Sequence, residues 1–124
     1  MLPPSQRLTA PEQFRAVVRR GRRSGGPVLV LHLLVPESGQ AVAQPRAGFV
    51  VSKAVGNAVT RNLVKRRLRH LVAERLEGLP DHALLVVRAQ PAAATASYAD
   101  LAREVDRLLD RCLSRATDRV GVPA

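Results

Sequence analysis

Between residues 64 and 76, Val64, Leu68, Leu71, Val72 and Leu76 recur at three- and four-residue spacing, which predicts a helix with one face turned to a core. Just ahead of it, Val55-Gly56-Asn57 supplies a conformationally free residue and then a good N-cap. The same spacing returns in Tyr98, Leu101, Val105, Leu108, Leu109 and Cys112, a final helix that Ser97 caps with Asp100 three residues on. Near the start, Thr9-Ala10-Pro11-Glu12 has the form of a capping box with Thr9 as N-cap. It predicts a short helix from Ala10 to about Arg20, with Phe14, Val17 and Val18 on its apolar side and Gly21 as its stop.

Three segments carry β patterns instead. Pro27 to Val35 is aliphatic and β-branched and ends at Pro36, so it is expected to be a strand. After a polar connection over 37–45, Arg46 to Lys53 alternates, with Arg46, Gly48, Val50 and Ser52 on one side and Ala47, Phe49, Val51 and Lys53 on the other. A hairpin of these two is the expected pairing. His82 to Arg88 is a compact apolar strand of the kind buried on both faces. The order helix, strand, strand, helix, strand, helix predicts an α+β fold, one small mixed sheet with helices packed on it. Its 124 residues suit a single domain over 9–116, with loose tails at 1–8 and 117–124.

Charge adds direction to this scheme. The net charge is +10, and it is unevenly spread. Residues 1–23 hold six arginines against Glu12, and residues 46–75 hold eight cations against Glu74, whereas the arginines after Ser97 are matched by carboxylates. On a wheel with Val64 as zero and about 100° per residue, Lys65, Arg69, Asn62 and Arg66 fall in a band beside the apolar face. Arg61 lies one turn before the apolar run and is expected to project past the end of the core. Lys53, Arg61, Lys65, Arg66, Arg67 and Arg69 stand in a stretch without a single acid. Such a surface, with helix N–H groups at the Asn57 start, points to a polyanion, and nucleic acid is the first candidate.

Other chemistries are poorly served. The longest apolar run, Val28 to Val35, is broken by His32 and is too short for a membrane span. One cysteine, Cys112, permits no internal disulfide, so a reducing, cytoplasmic setting is expected. The three histidines sit in separate elements without metal-ligand spacing, and the carboxylates of the last helix alternate with arginine at salt-bridge spacing. No nucleophile, base or metal constellation is visible, which argues against a free-standing nuclease. With Phe14, Phe49 and Tyr98 as the only aromatics, RNA recognition is expected to rest on phosphate contacts and shape.

The run RAGFVVSKAVGNAVTRNLVKRRLR, from Arg46 through Arg69, resembles the signature of the protein subunit of bacterial ribonuclease P. The resemblance covers roughly residues 5–115, because the helix with Phe14, the later strand and the last helix fall in the family's order. It implies a two-layer α/β sandwich with a left-handed βαβ crossover. It also implies a non-catalytic partner of a ribozyme, in which RNA holds Mg²⁺ and removes the 5′ leader of precursor tRNA. The implied partners are that catalytic RNA and the precursor tRNA, with no membrane, no protein oligomer and no cofactor in the isolated chain.

By position, the resemblance assigns Lys53, Arg61, Asn62, Lys65, Arg66 and Arg69 to RNA binding, and Asn57 at the helix start and Arg67 on the opposite flank join them as RNA-binding candidates. It assigns Phe14, Val18, His32 and Val50 to the cleft that receives the leader. Two departures stand out. Leu63 replaces the second arginine of the family's Arg-Asn-Arg opening, with Arg67 on the other flank as the cation available to offset it. Val18 and His32 replace residues that are often aromatic, which shifts leader binding toward charge. A structural RNA-binding module of ribosomal type remains the alternative that charge alone leaves open.

Overall fold

The computed structural model describes residues 2–36 and 44–121, with side chains through Ser114. Its elements are α1 (Pro11–Arg20), β1 (Arg22–Gly25), β2 (Leu29–Leu34), β3 (Arg46–Val50), α2 (Ala58–Arg75), β4 (Leu84–Ala89) and α3 (Tyr98–Gly121), joined in places by single 3-10 turns. Most of the connection expected over 37–45 lies outside the described residues. The four strands form one mixed sheet in the order β1-β2-β4-β3. β2 runs antiparallel to both β1 and β4, and β3 runs parallel to β4.

That order corrects the expected hairpin of the second and third apolar segments, because β4 lies between them. The reason is burial. β2 and β4 are the two most apolar strands, and only adjacent central positions let both lose water on both faces. The hairpin that does form joins β2 to β1, through a turn in which the Gly26 N–H donates to the Leu29 carbonyl at 2.9 Å. β1 carries the sequence Arg-Arg-Ser-Gly, which has no strand signature, and its charges suit an exposed sheet edge.

Alternation along the strands splits the core in two. Leu29, Leu31, Leu33, Ala47, Leu85 and Val87 face α2 and α3, where Val64, Leu68, Leu71, Val72, Leu101, Val105 and Leu108 close the larger cluster. On the other face Val86 packs with Val17 of α1 and with Leu8, flanked by Phe14, Leu34, Val50 and Leu84. The main sandwich is thus the sheet on α2 and α3, and α1 covers part of the second face. β3, α2 and β4 form the parallel crossover unit.

The helix starts are set by local chemistry. Asn57 Oδ1 accepts from the Thr60 N–H at 2.9 Å, and Ser97 Oγ accepts from the Asp100 N–H at 3.0 Å, as their sequences predict. Gly56 precedes the α2 cap with φ of 155°, a conformation that side chains rarely tolerate. The capping box expected at Thr9 is not made. Ala10 occupies the N-cap, and Pro11 begins the helix at N1, where its missing N–H costs nothing.

Part of the segment expected to be a loose N-terminal tail packs against the body. Leu2 is fully buried in the larger cluster, and the Leu8 N–H donates to the Ala47 carbonyl at 2.9 Å. The α3 backbone continues past Thr117 to Gly121. β4 starts at Leu84 rather than at His82, because His82 takes a left-handed turn with φ of 67°.

Two ionic contacts tie the helices down. Arg75 at the end of α2 makes a two-pronged contact to the Asp106 carboxylate of α3 and donates to the Leu71 carbonyl at 2.8 Å. Glu104 of α3 is buried, and one of its oxygens accepts from the Val28 and Leu29 N–H groups at 2.8 and 3.1 Å. Its other oxygen meets Arg107 at 2.6 Å. Burial pushes this carboxyl up, but hydrogen bonds from Val28, Arg107 and Leu29 together outweigh it and hold the group below its ordinary value.

A carboxyl depressed in the folded state adds stability that is complete above its ordinary value of 4.5 and fades as pH falls through the lower folded value. Replacing Glu104 by Gln should cost about 1–3 kcal/mol at neutral pH. Urea melts of the two proteins should differ by a constant amount from neutral pH down to the ordinary glutamate range and converge below it. A gap that is independent of pH throughout would assign the cost to shape rather than charge.

Candidate RNA interface

The basic stripe of α2 is a direct consequence of its buried face. With Val64, Leu68, Leu71 and Val72 turned to the sheet, Asn62 and Arg66 are left exposed. Lys65 and Arg69 are half-buried, with stems that can lie along the body and still present their charges to water. Lys53 stands exposed in a 3-10 turn just before the helix. Asn57 has its side-chain oxygen engaged as the cap, which leaves its amide N–H groups for a ligand.

Two cations are placed differently from expectation. Arg61 does not project past the core; its Nε donates to the Gly56 carbonyl at 3.1 Å, folding the guanidinium back over the turn that starts the helix. Arg67 points toward the connection ahead of α3, where its guanidinium donates to the Ala96 carbonyl at 3.4 Å. Leu63 is half-buried. Among the described residues, none of Lys53, Arg61, Lys65, Arg66, Arg67 or Arg69 is in an ion pair with a carboxylate. Their field therefore reaches solvent uncancelled.

A second feature lies on the α1 side of the sheet. Phe14, Arg15, Val18 and Arg19 of α1 face Val50 of β3 and Arg88 of β4 across an open groove of about 370 Å³. Phe14 can lie close over the sheet because position 48 has no side chain: a Cβ there would fall 2.7 Å from Phe14 Cε1 and 3.1 Å from the Leu8 carbonyl oxygen. The structure thus brings together Phe14, Val18 and Val50 as the sequence reading supposed. β3 links the two features, with Val50 in the groove and Lys53 three residues on at the approach to α2.

His32 is the exception. It lies on the same sheet face, but it is only 3% exposed and is not part of the groove lining. Burial, reinforced by the charges of Arg88 and Arg23, lowers its pKa and favours the neutral ring. Among the described residues, neither ring nitrogen has a hydrogen-bond partner. The alternation of β2 could place His32 on this face, but only the seating of α1 decides that it is covered.

The groove cations Arg15, Arg19 and Arg88 were not singled out from the sequence. The signal existed. Arg15 and Arg19 stand four apart beside Phe14 and Val18, and Arg88 is the lone charge in an otherwise apolar strand. Among the described residues, no group of three His, Cys, Asp or Glu side chains is placed to hold a metal. Among the described residues, no helix is long and apolar enough to cross a membrane.

A cation-faced helix beside an arginine-edged groove, both carried on a small mixed sheet, defines an RNA-binding α/β protein. The ribonuclease P family model matches residues 2–113, and the chain belongs to that family of protein subunits. It is 55% identical over 118 residues to the ribonuclease P protein component of Streptomyces griseus, covering 91% of this chain and 96% of that one. With the corresponding protein of a Nocardioides species the identity is again 55% over 118 residues, covering 94% and 99%. In fold it is similar to the Staphylococcus aureus RNase P protein, with a TM-score of 0.73 at 21% identity over 85% of this chain and 93% of that one.

The chain is therefore a non-catalytic protein component of the ribonuclease P ribonucleoprotein, aiding RNA-based catalysis of tRNA 5′ maturation. The ribosomal-type alternative falls with this membership.

If the bare position 48 is what seats Phe14, Gly48→Ala should destabilise the protein by about 1–3 kcal/mol through overpacking. Combining it with Phe14→Ala should remove most of that cost, because the ring that collides is gone. Thermal melts of the two single variants and the double variant give the comparison, and simple additivity would show that the ring and the glycine are not coupled.

Proposed function

We propose that the two features divide the work of binding RNA. The α2 surface, with Lys53, Asn57, Arg61, Asn62, Lys65, Arg66, Arg67 and Arg69, grips the catalytic RNA of ribonuclease P. The groove holding Phe14, Val18 and Val50 receives the single-stranded 5′ leader of precursor tRNA. His32 supports the groove from within the sheet rather than touching the leader.

The observation that carries this reading is the pairing of a helix whose cations from Arg61 to Arg69 have no carboxylate partner among the described residues with an apolar, arginine-edged groove on one strand. The first suits the regularly spaced phosphates of a folded RNA, which A-form helices present as shape rather than sequence. The second suits a flexible strand, with guanidinium groups for phosphates and apolar surface for bases. Hydrolysis of the phosphodiester belongs to the RNA and its Mg²⁺ ions, and the chain contributes binding and orientation. The holoenzyme is an endonuclease of the cytoplasm, a placement supported by the lone buried Cys112. This reading requires neither a membrane surface nor a second copy of the chain.

Arg66 is exposed and, among the described residues, has no hydrogen-bond or ion-pair partner, so Arg66→Ala should leave the melting temperature unchanged. It should weaken binding of the catalytic RNA by about 1–3 kcal/mol and reduce the salt slope by about one. A lower melting temperature with unchanged affinity would make it a structural residue.

Phe14→Ala should weaken precursor tRNA more than mature tRNA in the reconstituted holoenzyme, since only the precursor carries a leader. Equal losses on the two would remove the groove from leader binding. Leader removal at low Mg²⁺ by RNA, protein and their mixture, measured side by side, tests the whole assignment. Only the mixture should be active under those conditions.

A further inference from the structure

The first turn of α3 carries an aromatic ring that the core does not absorb. Tyr98 shares the apolar spacing of Leu101, Val105 and Leu108, yet those three are fully buried and Tyr98 is 40% exposed. Its ring stands instead beside α2, with its centroid 6.3 Å from that of His70 and the two planes tilted by 58°. The His70 ring is also exposed, and its Nε2 lies 3.5 Å from Glu74 Oε1. Arg67, one turn before His70, donates to the Ala96 carbonyl two residues ahead of Tyr98. Engaging one N–H in this way holds the guanidinium at the seam between the two helices and leaves its planar face for another group.

These side chains end a row along α2. At three- and four-residue spacing, Val59, Leu63, Arg67 and His70 run down the flank opposite Lys65 and Arg69. Val59 is 77% exposed and Leu63 is half-buried. The helix therefore has two unlike sides, one of cations that suit phosphates and one of apolar, guanidinium and ring surfaces. The first acid in the second row is Glu74, followed across the seam by Asp106, which Arg75 binds. Phosphates are favoured toward the start of α2 and disfavoured past His70, so an RNA strand on this flank brings a base rather than a phosphate to the rings. Stacking on a ring or a guanidinium plane asks only for an exposed π-face. Paired bases in an A-form helix hide that face, and an unpaired base offers it.

We propose that Tyr98, His70 and Arg67 form a stacking platform at the α2–α3 seam and that its occupant is an unpaired base of the catalytic RNA. Continuity with the cationic side of the same helix selects this RNA over the leader of precursor tRNA, whose groove lies on the other face of the sheet. Leu63, one turn before Arg67, extends the platform as apolar surface. The platform rests on α2 being the surface that grips the catalytic RNA, and its test separates the two claims.

Binding of the full chain to the catalytic RNA is measured across a range of salt concentrations. Tyr98→Leu keeps apolar bulk beside α2 but removes the ring. It should weaken binding about tenfold at every salt concentration and leave the salt slope unchanged, because stacking releases no counterions. Tyr98→Phe should rescue the loss. Arg67→Lys, which keeps the charge and removes the planar face, should weaken binding severalfold, again without a change of slope. Melting temperatures of the same proteins separate lost binding from lost folding.

The RNA supplies an independent reading. Acylation of 2′-hydroxyls, which reports nucleotide mobility, should show one unpaired nucleotide immobilised by saturating wild-type or Tyr98→Phe protein and mobile with Tyr98→Leu. Unchanged affinity for Tyr98→Leu, a loss that comes with a reduced salt slope, or a loss confined to precursor tRNA overturns the platform. If Arg66→Ala weakens binding of the catalytic RNA and Tyr98→Leu does not, α2 stands as the gripping surface and only the platform fails. If neither variant weakens it, the α2 reading fails as well.

Discussion

The need to bury β4 on both faces organises the molecule. Leu85 and Val87 look one way and Leu84 and Val86 the other, and all four lie within packed clusters. A strand of this kind cannot sit at an edge or face water, so it takes a central place beside the equally apolar β2. Everything else follows as cover. α2 and α3 close one face, and α1, with Leu8, closes part of the other. The groove exists because α1 is too short to cover its face completely, leaving the end of the sheet that carries Val50 and Arg88 open.

Charge is then distributed according to what each surface has to do. On α3 the arginines stand next to carboxylates: Arg103 with Asp100, Arg107 with Glu104, while Arg75 reaches over from α2 to Asp106. The contact from Arg75 holds helix to helix, and the other two lie within α3. On the outer face of α2 and around the groove, Lys53, Arg61, Lys65, Arg66, Arg67, Arg69, Arg15, Arg19 and Arg88 have no such carboxylate partners among the described residues, and self-repulsion there is a cost that a bound polyanion would relieve.

Much of this was legible in the chain. The caps at Asn57 and Ser97, the apolar faces of α2 and α3 and the outer stripe with Asn62, Lys65, Arg66 and Arg69 depend on neighbours three or four residues apart, and a helix presents that information locally. Phe14, Val18 and Val50 came together as the family resemblance implied. The strand pairing did not read out, because alternation within a strand says which side chains share a face and nothing about which strand lies alongside. β1 went unrecognised for a related reason: Arg-Arg-Ser-Gly is a strand only because β2 offers it an edge.

The sequence by itself determined the helices, the apolar faces they bury and the presence of a row of cations without acids, since all of these are set by short-range spacing. Tertiary structure alone decided the rest. It inserted β4 between β2 and β3, covered His32, folded Arg61 back onto Gly56 and turned Arg67 toward Ala96. It also assembled Arg15, Arg19 and Arg88 around one groove. Those outcomes depend on contacts between residues far apart in the chain, and such contacts are selected by the burial of the whole sheet rather than by any local preference.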